Sequence, residues 1–225
     1  LSFFYPLLPR INLFFILKKP IFVFKAKILK VELFLTTQLE EDFSFKQRKN
    51  TRTMLIKGIE EALNNQILLE SESSQTYLAM ACWAETNGFD GTSGFMYAHS
   101  DEERGHMLKI VKYINERGSR AIIPELPQPK DDYKTLLEVF ENLLEHEVAV
   151  TNSINELVFK TLEAKDYTTH NFLQWYVSEQ TEEEALARSI LDKLKMIGND
   201  KGGMYLFDRD VESIQVTSAA SLQAK

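Results

Sequence analysis

Helical periodicity fills the chain from Met54 onward, where apolar residues recur every three to four positions over four long stretches. The pattern predicts four helices, separated at Asn87-Gly88, at Gly118 and at a short turn that ends at Thr168. Their expected bounds are about 56–85, 91–117, 132–164 and 168–197. Long, strongly periodic segments of this kind are typical of an all-α bundle.

The connection after the second predicted helix, residues 119–131, is long because its three prolines cannot continue a helix. A long connection at this point lets the third helix start at the same end of the bundle as the second. The sequence therefore predicts an antiparallel four-helix bundle with one long crossover. The segment MYLFDRDVESIQ, residues 204–215, predicts a short fifth helix, and we expect the tail after Ser218 to fray.

Composition and charge restrict the kinds of site that the chain can build. The single cysteine, Cys82, excludes a disulfide framework within one chain and a thiolate-rich zinc or iron–sulfur site. It also favours a reducing compartment, so we expect a cytoplasmic protein. The net charge is −7, but residues 1–53 hold ten basic and four acidic residues, which leaves −13 on residues 54–225. A strongly acidic domain is suited to binding cations and poorly suited to binding nucleic acid. The alternative is that the acidic residues serve only solubility.

The first 53 residues differ from the rest of the chain, since they are rich in Phe, Leu, Ile and Lys and begin with Leu. Prolines and charges such as Pro9, Lys18 and Pro20 interrupt every window of about 20 residues, which argues against a membrane-spanning helix. The basic start and small-residue cleavage site of a signal peptide are also missing. We interpret residues 1–53 as translated upstream sequence outside the fold, with an unusual targeting or membrane-associating extension as the alternative. Residues 54–225 would then form the folded domain, with no membrane contact.

Each of the four predicted long helices carries one acidic residue near the middle of its apolar face: Glu70, Glu103, Glu147 and Glu183. In the second helix His106 follows Glu103 by three residues, so both side chains leave the same face. Four buried carboxylates repel one another unless cations neutralise them, and two ferrous ions would do so. Carboxylate and imidazole ligands suit iron. Glu103 is placed to bridge two irons, with Glu70 and His106 at the first and Glu147 and Glu183 at the second.

The predicted di-iron site departs from the generic pattern in one respect. Di-iron bundles carry two Glu-x-x-His pairs, and this chain carries one. The fourth helix has Gln180 and acidic residues where the second pair would lie, so the second iron should be held more weakly and by oxygen ligands alone. The alternative is that the residues are ordinary surface charges and a hydrogen-bonded core histidine. The metal site is favoured because these residues lie near the middle of the apolar face on all four helices.

Four sequence stretches carry a family resemblance, and together they span nearly all of the acidic body. They are QILLESESSQTY from Gln66, HSDEERGHM around Glu103, LEHE ending at Glu147, and NFLQWYVSEQTEEE from Asn171. The segment GGMYLFDRDV matches the start of a short fifth helix in the same family. Residues 54–215 thus resemble the bacterial non-haem ferritins, which implies a ferritin-like fold.

The resemblance also implies roles for individual residues. The ferroxidase centre would comprise Glu70, Glu103, His106, Glu147 and Glu183. A third iron site would use Glu102, Glu179, Glu182 and Glu183. Tyr77 would lie beside the centre, and Gln180 would be a weak ligand or contact the ligands. Haem is not expected, because Arg104 stands where the related bacterioferritins have their haem-binding methionine.

The function implied by the resemblance is iron storage and detoxification. Fe(II) would be oxidised by dioxygen or hydrogen peroxide, and ferric mineral would be deposited inside a cage, expected to hold 24 copies of the chain. A small-oligomer di-iron oxidase or peroxidase without mineral storage is the enzymatic alternative. A structural four-helix protein, whose polar residues only fix the helix register, is the non-enzymatic one.

Overall fold

The computed structural model describes residues 53–223, with side chains through residue 214. The described chain forms five α-helices and contains no strand: α1 Lys57–Thr86, α2 Asp90–Glu116, α3 Leu136–Glu163, α4 Tyr167–Ile197 and α5 Lys201–Gln223. The prediction of an all-α bundle is confirmed. The interpretation of residues 1–53 falls outside the described residues, apart from Thr53, whose hydroxyl bonds to that of Ser119.

Side-chain contacts fix the direction of each helix. Ser74 and Ser93 bond to Ser100 and Ala81, so residue numbers rise along α1 as they fall along α2. Contacts of Tyr77 with Glu147 and of Gln66 with Ser153 show in the same way that α1 and α3 are antiparallel. Contacts between α2 and α4 show that these two helices are also antiparallel. It follows that α3 and α4 are antiparallel as well. Helices α2 and α3 are therefore parallel, and the extended connection between them crosses the length of the bundle. This is the predicted long crossover.

Two helices have bounds that differ from the prediction. Helix α3 begins at Leu136 rather than near residue 132, because Thr135 Oγ1 accepts a hydrogen bond from Glu138 N at 3.2 Å and acts as the N-cap. Helix α5 is longer than the predicted 204–215 and continues past Ser218. Its early start is explained by Asp200, which accepts a bond from Gly203 N at 2.7 Å, and its late end by the good helix formers Ala, Leu and Gln.

The interior of the bundle is layered along its axis. One apolar cluster fills the end at which α5 packs and includes Phe95, Phe140 and Phe207. A second apolar cluster fills the opposite end and includes Ile67 and Ile154. Buried polar side chains from α1 to α4 lie between the two clusters. Within residues 53–223, no helix combines the length and apolarity that crossing a membrane requires.

Candidate metal centre

The polar layer brings the predicted site residues together in the middle of the bundle. Glu70 is fully buried on α1, and Glu103 and His106 are buried on α2. Glu147 on α3 and Glu183 on α4 reach the same layer and are also buried. Burying this many ionisable groups is costly unless each has a partner or a cation neutralises them.

Glu70, Glu103 and His106 form the most compact group. One ligand atom from each lies within 4.8 Å of the other two. His106 Nδ1 is 3.2 Å from Glu103 Oε2 and 3.8 Å from Glu70 Oε2. Glu70 Oε1 accepts a hydrogen bond from Gln66 Nε2 at 2.6 Å, whereas Oε2 is buried and accepts none from the described residues. Two carboxylates and an imidazole at these distances are a ligand set that a divalent metal ion fits.

The electrostatics of this group favour a cation. Burial raises the pKa of Glu70 well above its usual value, and the neighbouring Glu103 carboxylate raises it further. The pKa of Glu103 is likewise raised well above its usual value by burial, with Glu147 adding to the effect. The raised pKa values mean that burial disfavours the ionised form of both carboxyl groups, and a divalent cation would favour it.

The predicted second pair, Glu147 and Glu183, is tied to neighbouring side chains. Tyr77 donates to Glu147 Oε1 at 2.5 Å, and Gln180 Nε2 donates to Glu147 Oε2 at 3.1 Å. Glu183 Oε2 lies 3.4 Å from His99 Nε2 on α2. Glu103, Glu147 and Glu183 do not converge as closely as the first group, whose ligand atoms lie within 4.8 Å of one another.

The pKa directions of this second pair differ. Burial raises the pKa of Glu147 and nearby Glu183 adds to this, although the bonds from Tyr77 and Gln180 oppose it. Burial would also raise the pKa of Glu183, but the contact with His99 outweighs it and the pKa is lowered. The pKa of Tyr77 is raised well above its usual value by burial and by Glu147, so its hydroxyl stays protonated and remains a donor.

The predicted third site is assembled only in part. Ligand atoms of Glu102 and Glu179 meet one from His106 within 4.8 Å, and both carboxylates are half-buried. Burial raises the pKa of each. Glu182 is exposed on α4 and lies outside this group. Glu183 was also predicted here, but it faces His99 instead.

Three residues near the centre were not given a role from the sequence. Gln66 precedes Glu70 by four residues, a helical spacing that could have indicated their hydrogen bond. His99 lies on α2, and its contact with Glu183 on α4 depends on the packing of the two helices. The buried Tyr176 hydroxyl has no hydrogen-bond partner among the described residues. Its pKa is raised mainly by burial and, to a smaller extent, by the negative charge of Glu70.

Comparisons with known proteins agree with this architecture. A family model described as a ferritin-like domain matches residues 60–197, more than half of the chain. The chain belongs to the ferritin family. A probable bacterial non-heme ferritin-like protein of Haemophilus influenzae is 48% identical over 161 residues, which is 72% of this chain and 98% of that protein. A bacterial non-heme ferritin of Campylobacter jejuni is 46% identical over 164 residues, 73% of this chain and 98% of the relative.

Solved structures extend the agreement to the ferritin fold. An open pore ferritin from the archaeon Archaeoglobus fulgidus superposes with a TM-score of 0.69 at 40% identity, over 70% of this chain and 96% of its own. The ferritin of Chlorobium tepidum gives a TM-score of 0.64 at 46% identity, over 71% and 96% of the two chains. The resemblance seen in the sequence is thereby confirmed at the level of family and fold.

Proposed function

We propose that this ferritin-family chain is a ferroxidase that stores and detoxifies iron. It would oxidise Fe(II) to Fe(III) and deposit ferric oxyhydroxide inside a cage of 24 copies. The observation that carries the proposal is the buried convergence of Glu70, Glu103 and His106 within 4.8 Å. The names of the relatives, bacterial non-heme ferritins, support the same function.

In this proposal iron is the substrate, and the polar layer binds two ferrous ions side by side. Glu70 and His106 bind the first ion, Glu147 and Glu183 bind the second, and Glu103 bridges them. The carboxylates supply the negative charge that two divalent ions need, and protons held by the raised-pKa acids leave as iron enters. Each Fe(II) gives up one electron, so the pair reduces dioxygen to hydrogen peroxide, or hydrogen peroxide to water, with uptake of two protons.

The proposal explains why the second ion should leave more easily. Glu183 already contacts His99, so iron competes with this imidazole for the carboxylate. Such competition lowers affinity and suits an ion that passes on to the mineral. We further propose a third iron position at Glu102 and Glu179, with the exposed Glu182 at the solvent side.

Addition of Fe(II) to the purified, metal-free protein under air tests the ferroxidase activity. We expect the wild-type protein to accelerate the appearance of Fe(III) over a protein-free control, and Glu103→Ala to abolish most of the acceleration. Glu141→Ala, which removes an exposed carboxylate from α3, is the matched control and should behave as wild type. Oxidation at the protein-free rate, or equal rates for wild type and Glu103→Ala, would overturn the proposal.

Storage and the small-oligomer oxidase or peroxidase differ in size and in iron content. A storage cage is expected to elute as a large assembly and to retain many irons per chain after oxidation. The small-oligomer enzyme would retain only a few. Light scattering coupled to size-exclusion chromatography, followed by iron analysis of the same peak, distinguishes the two.

Two further parts of the proposal concern the chain as a whole. We propose that the protein acts in the cytoplasm, which the single free cysteine, Cys82, favours. We also propose that the working chain starts at Met54. Mass spectrometry of the native N-terminus tests this, and a mature chain that begins well before Met54 would contradict it.

A further inference from the structure

Glu70 is held by a chain of two hydrogen bonds that reaches it from another helix. Ser153 Oγ on α3 donates to Gln66 Oε1 on α1 at 2.7 Å. Gln66 Nε2 in turn donates to Glu70 Oε1 at 2.6 Å. Gln66 and Glu70 are both fully buried, so solvent cannot substitute for either bond.

This chain of bonds makes the two oxygens of Glu70 unequal. Oε1 is directed at the amide of Gln66, whereas Oε2 faces His106 Nδ1 at 3.8 Å and accepts no hydrogen bond from the described residues. A carboxylate fixed at one oxygen can rotate little about its last bond, so it presents the same oxygen to the centre each time.

Ser153 holds the far end of the Gln66 side chain in place. An amide has a donor end and an acceptor end, and the ionised carboxylate of Glu70 can pair only with the donor end. The Ser153 hydroxyl donates to the acceptor end that is left, so both ends of the amide are held. Because Ser153 lies on α3, the position of the amide depends on the packing of α1 against α3.

We propose that Gln66 and Ser153 are positioning residues that make Glu70 bind the first iron through Oε2 alone. The inference rests on the proposed function, because it assigns the first iron to Glu70, Glu103 and His106. It adds that Gln66 controls how many oxygens Glu70 contributes to the first iron. Ser153, on a helix that supplies no ligand to that iron, supports Gln66 in this role.

The inference is tested by anaerobic titration of the assembled, metal-free protein with Co²⁺, whose visible absorption reports its coordination. We expect Gln66→Leu to weaken the first Co²⁺ position about ten-fold, the lower end of the effect typical for residues that orient metal ligands. Its visible spectrum should also change, since Glu70 becomes free to bind through both oxygens. Ser153→Ala should shift both measurements in the same direction by less, and Ser153→Thr, which keeps the hydroxyl, should restore wild-type values.

Two matched controls separate positioning from general loss of packing. Ser74→Ala also removes a buried serine hydroxyl, but its hydrogen bond goes to Ser100 O rather than to a ligand or to Gln66, so Co²⁺ binding should not change. Gln180→Leu removes the amide bonded to Glu147, so it should alter the second Co²⁺ position and leave the first as in wild type.

The possible outcomes separate failure of this inference from failure of the proposed ferroxidase function. The inference is overturned if both Gln66→Leu and Ser153→Ala keep the wild-type affinity and spectrum at the first position. It is also overturned if Ser74→Ala loses as much affinity as they do. Either result leaves the ferroxidase proposal intact. If Gln66→Leu fails to fold, the comparison of Ser153→Ala with Ser153→Thr decides alone. A wild-type protein that binds no Co²⁺ overturns both. Normal Co²⁺ binding without iron oxidation overturns only the ferroxidase function.

Discussion

Individual residues of the polar layer show how this chain tolerates buried acids. Glu70, Glu103 and Glu147 all have pKa values raised by burial, and each also faces another carboxylate. Hydrogen bonds from neutral donors, such as those of Gln66 and Tyr77, offset part of this cost. The remaining cost disfavours the ionised carboxylates, so the residues proposed to bind iron also reduce the stability of the metal-free protein.

Replacing Glu103 by Gln should stabilise the metal-free protein at neutral pH. An acid whose pKa is raised by folding destabilises the folded state as pH rises from the unfolded pKa through the folded one, and the effect is then constant. We expect Glu103→Gln to raise the free energy of unfolding near pH 7.5, because burial and the neighbouring carboxylates disfavour the ionised acid. Denaturant unfolding should show this gain shrinking as the pH falls below about 4, because the wild-type acid is then largely protonated in both states. A less stable Glu103→Gln protein at neutral pH, or an equal gain in the exposed-site variant Glu141→Gln, would contradict the prediction.

Removing the Tyr77 hydroxyl should shift the pH dependence of the second metal position. The bond from Tyr77 lowers the pKa of Glu147, so Tyr77→Phe should raise that pKa further and let protons compete with metal at higher pH. Co²⁺ titrations at several pH values should show the midpoint for the second ion moving upward. Tyr97→Phe is the matched control, because Tyr97 also donates to a glutamate, Glu85, but on the exposed face of the bundle. A midpoint that does not move, or moves equally in both variants, would refute this role.

At the scale of elements, α5 caps the start of α2. Asp208 on α5 accepts hydrogen bonds from Gly91 N at 3.1 Å, Thr92 N at 2.8 Å and Thr92 Oγ1 at 2.7 Å. The first turn of a helix has amide groups without partners within the helix, and Asp208 satisfies two of them from more than a hundred residues away. A Cβ atom on Gly91 would lie 1.8 Å from Asp208 O, so α5 can approach this closely only because position 91 is glycine.

The variant Asp208→Ala should lower the free energy of unfolding by about 1–2 kcal/mol, as expected for loss of a helix cap. Thr92 is fully buried, so its amide and hydroxyl would be left without partners rather than bonding to water. Denaturant unfolding measures the loss. Asp210→Ala removes an exposed carboxylate that bonds to Arg209 on the same helix, and it should change stability by less than about 0.5 kcal/mol. Equal stabilities for the two variants would show that the cap contributes nothing.

At the scale of the whole molecule, the layered interior links stability to metal content. Two apolar clusters hold the ends of the bundle, and the acidic layer between them opposes folding until a cation neutralises it. The bundle can accommodate this layer because burial at both ends offsets its cost. A metal ion that binds only the folded chain therefore acts on the stability of all four long helices together.

Binding of a divalent metal should raise the melting temperature of the assembled protein. At a Co²⁺ concentration about 100 times its Kd, the folded state gains about 2.7 kcal/mol. For a chain of this size the gain corresponds to roughly 5–10 °C. Scanning calorimetry with and without a chelator measures it, and Glu103→Gln should lose most of the increase. An unchanged wild-type melting temperature would argue for a polar layer that only fixes the helix register.

The sequence by itself determined the fold and the residue types that line the candidate metal centre. Four long helical periodicities and one proline-rich connection left little choice but a crossover bundle, because each apolar face must be buried against another. The same faces placed Glu70, Glu103, Glu147 and Glu183 at similar heights, since helical spacing is regular along a chain. The sequence did not give the observed starts of α3 and α5, because capping by Thr135 and Asp200 outweighs the average helix propensity of nearby residues.

Only the tertiary structure decided which side chains hold the ligands. The contacts from His99 to Glu183 and from Ser153 to Gln66 join different helices, and they depend on the relative rotation and height of those helices. No periodicity within one helix encodes either quantity. For the same reason the structure, and not the sequence, separated a closely grouped first position from a second whose carboxylates are already engaged. Sequence thus supplied the chemistry of the centre, and helix packing supplied its asymmetry.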